Sequence, residues 1–106
     1  MFTEITVLEP PGGPPTVAVR GELDLASAGE LRTRLEQLAA GKPDRLVVDL
    51  TQASFVDSSG LGAIAGGLRS QRRHGGVVEV VGAASHVRRV FEIAGLGSLL
   101  ADSPSD

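Results

Sequence analysis

Two short runs of branched apolar residues constrain the fold of this chain more than any other feature. They are RLVVDL at 45–50 and VVEVV at 77–81. Each is typical of a strand that is buried on both faces of a sheet. A helix-like segment precedes the first run, a second separates the two runs, and a third follows. Strands that alternate with helices in this way form a parallel sheet with right-handed crossovers.

The N-terminal part of the chain adds two further strand candidates, FTEITVLE and TVAVRGEL, on either side of PPGGPP. Proline cannot donate a ladder hydrogen bond and glycine tolerates positive φ, so we expect a hairpin or meander here. The predicted order is β-β-α-β-α-β-α. This is an α/β fold with a mixed, mostly parallel sheet of four or five strands flanked by helices. We expect residues 1–106 to form a single domain, ordered from about residue 2 to 100, with a polar tail at 101–106.

Three helices are predicted from the spacing of apolar residues and from the signals at their ends. Ser27 and Glu30 have the spacing of a capping box at the start of the first helix. The second helix covers about 58–73, and the third opens at Ser85 and ends before Gly95, which is placed as a left-handed cap. The residues expected to face the core are Leu31, Leu35 and Leu38 in the first helix, Leu61, Ile64, Ala65 and Leu68 in the second, and Val87, Val90, Phe91 and Ala94 in the third.

The composition disfavours several classes of function. Ten basic and thirteen acidic residues give a net charge of −3, and three phenylalanines are the only aromatic residues, a poor basis for binding nucleic acid. No apolar run is long enough to span a membrane, and the N-terminus lacks the features of a secretory signal, so we expect a cytoplasmic protein. With no cysteine the chain has no thiolate metal site, and we expect no cofactor.

The stretch SFVDSSGLGAIAGG (54–67) places an acid and two serines where a buried strand ends and a helix begins. Loops that leave the carboxyl ends of parallel strands emerge at one edge of the sheet, so we expect Asp24, Asp57–Ser59 and Ser85 along one rim. Ser58 is the most economical N-cap of the second helix, although Asp57 or Ser59 can also serve.

The glycines that follow this motif weaken the helix, at a cost of up to about 1 kcal/mol each in its interior. Close packing against the sheet explains glycines at 62, 66 and 67. A flat surface that another protein can approach explains them equally well. Both interpretations stand on the sequence alone.

Two other functions can be built on the same motif, and both fit poorly. The glycines at 60, 62 and 66 do not have the spacing of a dinucleotide-binding or P-loop motif. A catalytic Ser58 requires a base, and His74 lies about 24 Å away along the same helix. His86 can approach the rim, but the more direct interpretation is an exposed histidine in the first turn of the third helix.

Three blocks of sequence, RGELDL, FVDSSGLGAI and VRRVFEIAGL, resemble the STAS domain of bacterial anti-sigma factor antagonists. They occur in the order of that family and span about residues 5–100. The resemblance implies a small sheet flanked by helices, no enzymatic activity, and regulation by phosphorylation of the serine that follows the motif aspartate. That serine is Ser58, with Ser59 as the alternative. The unphosphorylated form would bind an anti-sigma factor and so release a sigma factor that activates transcription.

The resemblance also implies the partners and the surface that binds them. The anti-sigma factor would be a serine kinase of the GHKL ATPase type, and a metal-dependent serine phosphatase would reverse its action. The residues expected to bind the partner are Asp24, Asp57, Ser58, Ser59, Gly60, Leu61 and Gly62. Asp24 can equally be the cap of the first helix, and Leu61 can equally belong to the core.

The C-terminal sequence LGSLLADSPSD departs from the family pattern, in which a final helix usually follows. We therefore expect that helix to be short or absent, and the protein to be a monomer or a weak homodimer. An alternative function within the same family is a scaffold or sensor subunit of a stress-signalling assembly.

Overall fold

The two branched apolar runs form neighbouring parallel strands of a mixed sheet in the computed structural model, which describes residues 2–101. The second run is an edge strand in which Val77 is exposed and Val81 is half-buried, so its predicted burial on both faces is wrong. Within residues 2–101 the sheet has four strands in the order β1-β2-β3-β4. β1 is antiparallel to β2, and β2, β3 and β4 are parallel to one another. The expected hairpin and parallel crossovers are confirmed. The strands are β1 (Thr3–Leu8), β2 (Thr16–Leu23), β3 (Arg45–Val56) and β4 (Val77–Val81).

Three helices complete the predicted order: α1 (Leu25–Ala39), α2 (Ser58–Arg72) and α3 (Ser85–Ile93). α1 and α2 pack against each other and against the sheet, and α3 contacts β3. A 3₁₀ turn (Gly97–Leu99) follows α3, and the next residue, Leu100, forms a parallel bridge with Val80 of β4. Residues 102–106 of the expected polar tail lie outside the described residues.

One cluster of buried side chains joins the helices to the sheet, and most of the predicted core residues belong to it. In α2, however, Ala65 is half-buried and Ala63 is buried in its place. In α3, Val90 is half-buried and Ala94 is exposed. Ala94 was wrongly placed because α3 ends at Ile93, so that Ala94 is the C-cap and no longer follows the buried stripe.

The end of α3 has the geometry expected from its glycine. Gly95 has φ of 78°, and the N–H of Leu96 donates to the carbonyl of Phe91 at 2.8 Å. This bond satisfies a carbonyl that the helix end would leave unpaired. The predicted left-handed cap is confirmed.

The predicted capping box at the start of α1 is wrong. The N-cap lies three residues earlier, at Asp24, whose Oδ1 accepts from the N–H of Ala26 at 3.0 Å, so the alternative role of Asp24 as a helix cap is confirmed. Ser27 is the third helical residue, and its Oγ accepts from the N–H of Asp24 at 3.0 Å. Asp24 takes the capping role because it comes directly after β2, where the chain must turn into the helix. Aspartate caps as well as serine does.

The glycines of α2 divide into those that pack and one that does not. A Cβ at Gly60 would lie 2.7 Å from the side chain of Leu23 in β2, and one at Gly67 would lie 2.9 Å from Leu35 in α1. A Cβ at Gly62 would have no heavy atom within 4 Å, and Gly62 is exposed. Packing therefore explains Gly60 and Gly67, while Gly62 has no packing requirement.

This division predicts opposite effects for two substitutions that lie two residues apart. Gly60→Ala should lower the free energy of unfolding by about 1–3 kcal/mol, because its methyl group overlaps the side chain and carbonyl of Leu23. Gly62→Ala should raise it by up to about 1 kcal/mol, because alanine is the better helix former. Urea denaturation of both variants measures the difference. Equal effects of the two substitutions would contradict the packing described for Gly60.

Candidate functional site

The rim of the sheet is fixed by the parallel register of β2 and β3. Leu23 and Val56, the last residues of the two strands, are paired, and the N–H of Asp57 donates to the carbonyl of Leu23 at 3.1 Å. Asp24 and Asp57 therefore leave adjacent strands side by side. β4 ends at Val81, which pairs with Asp49, and the start of α3 lies beside the later part of β3 through the contact of His86 with Ser54. The predicted placement of Asp24 beside Asp57 is confirmed.

Asp57, and not Ser58, is the N-cap of α2. Oδ1 of Asp57 accepts from the N–H of Ser59 at 2.8 Å and from the N–H of Gly60 at 3.1 Å. Ser58 is the first residue of the helix, and its side chain is exposed. Among the described residues the Ser58 hydroxyl has no hydrogen-bond partner. The predicted role of Ser58 as the cap is therefore wrong, and its hydroxyl is left available to another molecule.

The other serine of the motif is less accessible. Ser59 is half-buried, and its backbone N–H is one of the two donors to Asp57. Gly60 and Leu61 are buried, and Leu61 belongs to the core cluster. Gly60 and Leu61 lie on the side of α2 that packs against the core, whereas Ser58 and Gly62 face solvent. The difference in exposure thus distinguishes Ser58 from Ser59 as the more accessible hydroxyl, which the sequence alone does not do.

The amides at the start of α2 are already bonded to an anionic group. A phosphate-binding loop presents free backbone N–H groups to its ligand. Here the amides of Ser59 and Gly60 donate to the carboxylate of Asp57 instead. This geometry, like the glycine spacing, disfavours a nucleotide-binding site at this position.

His86 has a structural contact at the same end of the sheet. Its Nε2 donates to the carbonyl of Ser54 at 2.8 Å, which ties α3 to β3 beyond Asp49, the last residue of β3 that pairs with β4. Nε2 therefore carries a proton in this hydrogen bond and is not available as the base for a catalytic Ser58. In residues 2–101, no three histidine or carboxylate side chains are grouped as metal ligands would be.

Two features of the rim were missed by reasoning from the sequence. Leu25, the first residue of α1, is 79% exposed. Glu22 is half-buried, and its Oε1 is buried with no hydrogen-bond partner in the described part of the chain. Leu25 was missed because the capping box predicted at Ser27 places it before the helix. The alternative cap, Asp24, places Leu25 in the first turn, where it is exposed.

Gly21 in the same strand has a purely structural role. It has φ of 94°, and a Cβ there would lie 2.0 Å from the carbonyl oxygen of Phe2. The N–H of the next residue, Glu22, donates to that same carbonyl. A side chain at position 21 would therefore break the contact between β1 and the end of β2.

The arrangement presents the exposed Ser58 hydroxyl directly after the acidic cap Asp57. The first turns of α1 and α2 begin directly after Asp24 and Asp57 at this edge of the sheet. No helix within residues 2–101 is both long and apolar enough to cross a membrane. Chemically, the site can take part in recognition by another protein and can be modified at the Ser58 oxygen.

Comparison with known proteins agrees with this description. The family model described as "Mlab, STAS domain" matches residues 7–101. The anti-sigma-B factor antagonist of Listeria monocytogenes is 32% identical over 84 residues, which cover 79% of this chain and 74% of the relative.

Solved structures give the same result. An anti-sigma factor antagonist from Mycobacterium paratuberculosis has a TM-score of 0.81 at 27% identity, covering 94% of this chain and 84% of that one. The phosphorylated form of the Bacillus cell fate determinant SpoIIAA has a TM-score of 0.70 at 25% identity, covering 92% of this chain and 88% of that one. The chain is a member of the STAS domain family.

Proposed function

We propose that this protein is an anti-sigma factor antagonist whose binding to its partner is switched by phosphorylation of Ser58. In the unphosphorylated state it binds an anti-sigma factor, which then releases its sigma factor. The single observation that supports this best is the exposed Ser58 hydroxyl with no internal partner at the start of α2. The names of relatives that are 32% identical to the chain point to the same function.

The partner in this proposal is a serine kinase of the GHKL ATPase type that uses Ser58 as its substrate. The Ser58 oxygen attacks the γ-phosphorus of ATP, and the bond from that phosphorus to the β,γ-bridging oxygen breaks to release ADP. The kinase supplies the base that takes the hydroxyl proton, since Nε2 of His86 already donates to Ser54. The antagonist contributes an exposed hydroxyl and the surface around it.

Phosphorylation would change the charge of the surface and leave the fold intact. A phosphate adds about −1.5 to −2 charges, and a helix N-terminus favours an anion. The neighbouring Asp57 carboxylate opposes that gain, because it already bonds to two amides of the first turn. Within the domain, the attraction of the helix N-terminus and the repulsion by Asp57 offset each other. In the complex, the phosphates of the nucleotide bound to the kinase would repel the phosphoserine directly.

The surface that would meet the kinase is built from the rim residues. Ser58 and Gly62 supply the exposed part of α2, and Asp24, Asp57 and Ser59 lie half-buried beside them. Gly60 lets the helix pack closely against Leu23, and Leu61 belongs to the core cluster, so both residues fix the position of that surface. Because Gly62 carries no side chain and has no packing requirement, we infer that it lets a partner approach the helix backbone.

A metal-dependent serine phosphatase completes the proposed cycle by removing the phosphate from Ser58. Its access to the site is favoured by the position of Ser58 on the first turn, outside the core.

Size-exclusion chromatography distinguishes this function from that of a scaffold subunit. A scaffold would form a large homo-assembly, whereas the proposed switch should elute as a monomer or weak homodimer.

The identity of the modified serine is tested with two single substitutions. The protein is incubated with ATP and the anti-sigma factor kinase encoded nearest to its gene. Ser58→Ala should accept no phosphate, while Ser59→Ala should still be labelled at Ser58, because its acceptor hydroxyl is unchanged. Mass spectrometry of the phosphopeptide locates the label. Label retained by Ser58→Ala would show that another hydroxyl is the substrate.

The charge mechanism is tested with Ser58→Asp, which places a carboxylate where the phosphate would be. The unfolding free energy should stay within about 1 kcal/mol of the parent value, because the helix end favours the charge and Asp57 opposes it. Binding to the same kinase, measured by calorimetry, should fall by at least about tenfold. Ser58→Asn is the uncharged control of similar size. If Ser58→Asp bound as tightly as Ser58→Asn, charge would not be the cause of release.

A further inference from the structure

Leu25 is a large apolar side chain that the fold leaves in solvent. It is 79% exposed and lies at the first position of α1, directly after Asp24. A single exposed leucine is ordinary on a protein surface. What distinguishes Leu25 is its position relative to the rim.

Leu25 and Ser58 occupy equivalent positions in two successive strand–helix units. The strands that precede them end at the paired residues Leu23 and Val56. An aspartate then caps each helix, and the next residue, Leu25 or Ser58, is the first of the helix. Because neighbouring helices pack about 8–10 Å apart, one partner surface can reach both residues.

Each of these two residues is followed, one helical turn later, by a glycine that has no packing requirement. Gly29 follows Leu25 by four residues and Gly62 follows Ser58 by four residues, and residues four apart share a helix face. A Cβ at either glycine would have no heavy atom within 4 Å. Internal packing therefore explains neither glycine, and the backbone at Gly29 and Gly62 is open to an approaching protein.

The contact of Arg32 with α2 shows that these two helix faces border each other. Arg32 lies about one turn beyond Gly29 on α1, and its Nε is 3.1 Å from where a Cβ on Gly66 of α2 would be. Gly66 is buried at this contact, about two turns beyond the exposed Ser58. Because the two helices are neighbours and start side by side, a partner that covers Ser58 can also reach Leu25.

We propose that Leu25 is an apolar anchor that inserts into an apolar pocket of the anti-sigma factor kinase, beside the site that receives Ser58. This inference rests on the proposed function and extends the binding surface from α2 to α1. Burial of an exposed leucine removes apolar area from water and so favours association. Leu25 contributes to docking and not to phosphoryl transfer, since its side chain has no reactive group.

The test compares Leu25→Ala with Ile93→Ala, using the kinase encoded nearest to the gene and ATP. Ile93 is 80% exposed and lies at the last residue of α3, at the helix end remote from the rim. Leu25→Ala should raise the Kd of the complex, and the KM for phosphorylation of Ser58, by about tenfold or more. Its kcat should not change, and Ile93→Ala should match the parent chain in all three constants.

Stability and a conservative variant complete the experiment. Leu25→Ala should keep the melting temperature of the parent, because the side chain contributes little to the core. Leu25→Met should retain most of the affinity, because methionine has a similar volume and adapts to apolar pockets.

The outcomes separate this inference from the proposed function. If the kinase binds and phosphorylates the parent chain and treats Leu25→Ala identically, the anchor is overturned and the proposed function stands. If Leu25→Ala lowers kcat and leaves KM unchanged, Leu25 does not act in docking and the anchor is again overturned. If the kinase neither binds nor phosphorylates the parent chain, the proposed function fails and the anchor fails with it.

Discussion

The hydrogen bond from the Asp57 amide to the Leu23 carbonyl is the constraint on which the site depends. It continues the parallel pairing of β2 and β3 to the point where both strands end. Because the two strands end at the same height, their following aspartates cap two helices that start side by side. Asp57 takes up the amides of the first turn of α2, which leaves the Ser58 hydroxyl unused by the fold. The accessibility of one serine is thus a result of strand register and of the choice of capping residue.

The order of elements and the location of the rim could be predicted from the sequence because they follow from short-range patterns. Branched runs predicted β3 and β4, and the rule that parallel strands share one carboxyl edge predicted that Asp24 and Asp57 lie together. Gly95 predicted the end of α3, since few residues other than glycine adopt positive φ.

Other features could not be predicted because they depend on competition between equivalent residues or on contacts between elements. Asp24 and Ser27 are equally good caps by propensity, and the end of β2 decides between them. Spacing alone does not distinguish Gly60, which meets Leu23, from Gly62, which meets nothing. Gln71 is fully buried, and its Nε2 donates to the carbonyls of Pro43 and Val77. No sequence pattern places a glutamine in such a bridge between distant parts of the chain.

The engagement of the first-turn amides by Asp57 also bears on how long a modification at Ser58 would last. A phosphoryl group at a helix start with free amides is held by the backbone. Here those donors are occupied, so the group would project into solvent with little to retain it. Such a mark would persist only as long as no enzyme came to erase it, and the duration of the signal would be set by the supply of phosphatase and not by the protein that carries the mark.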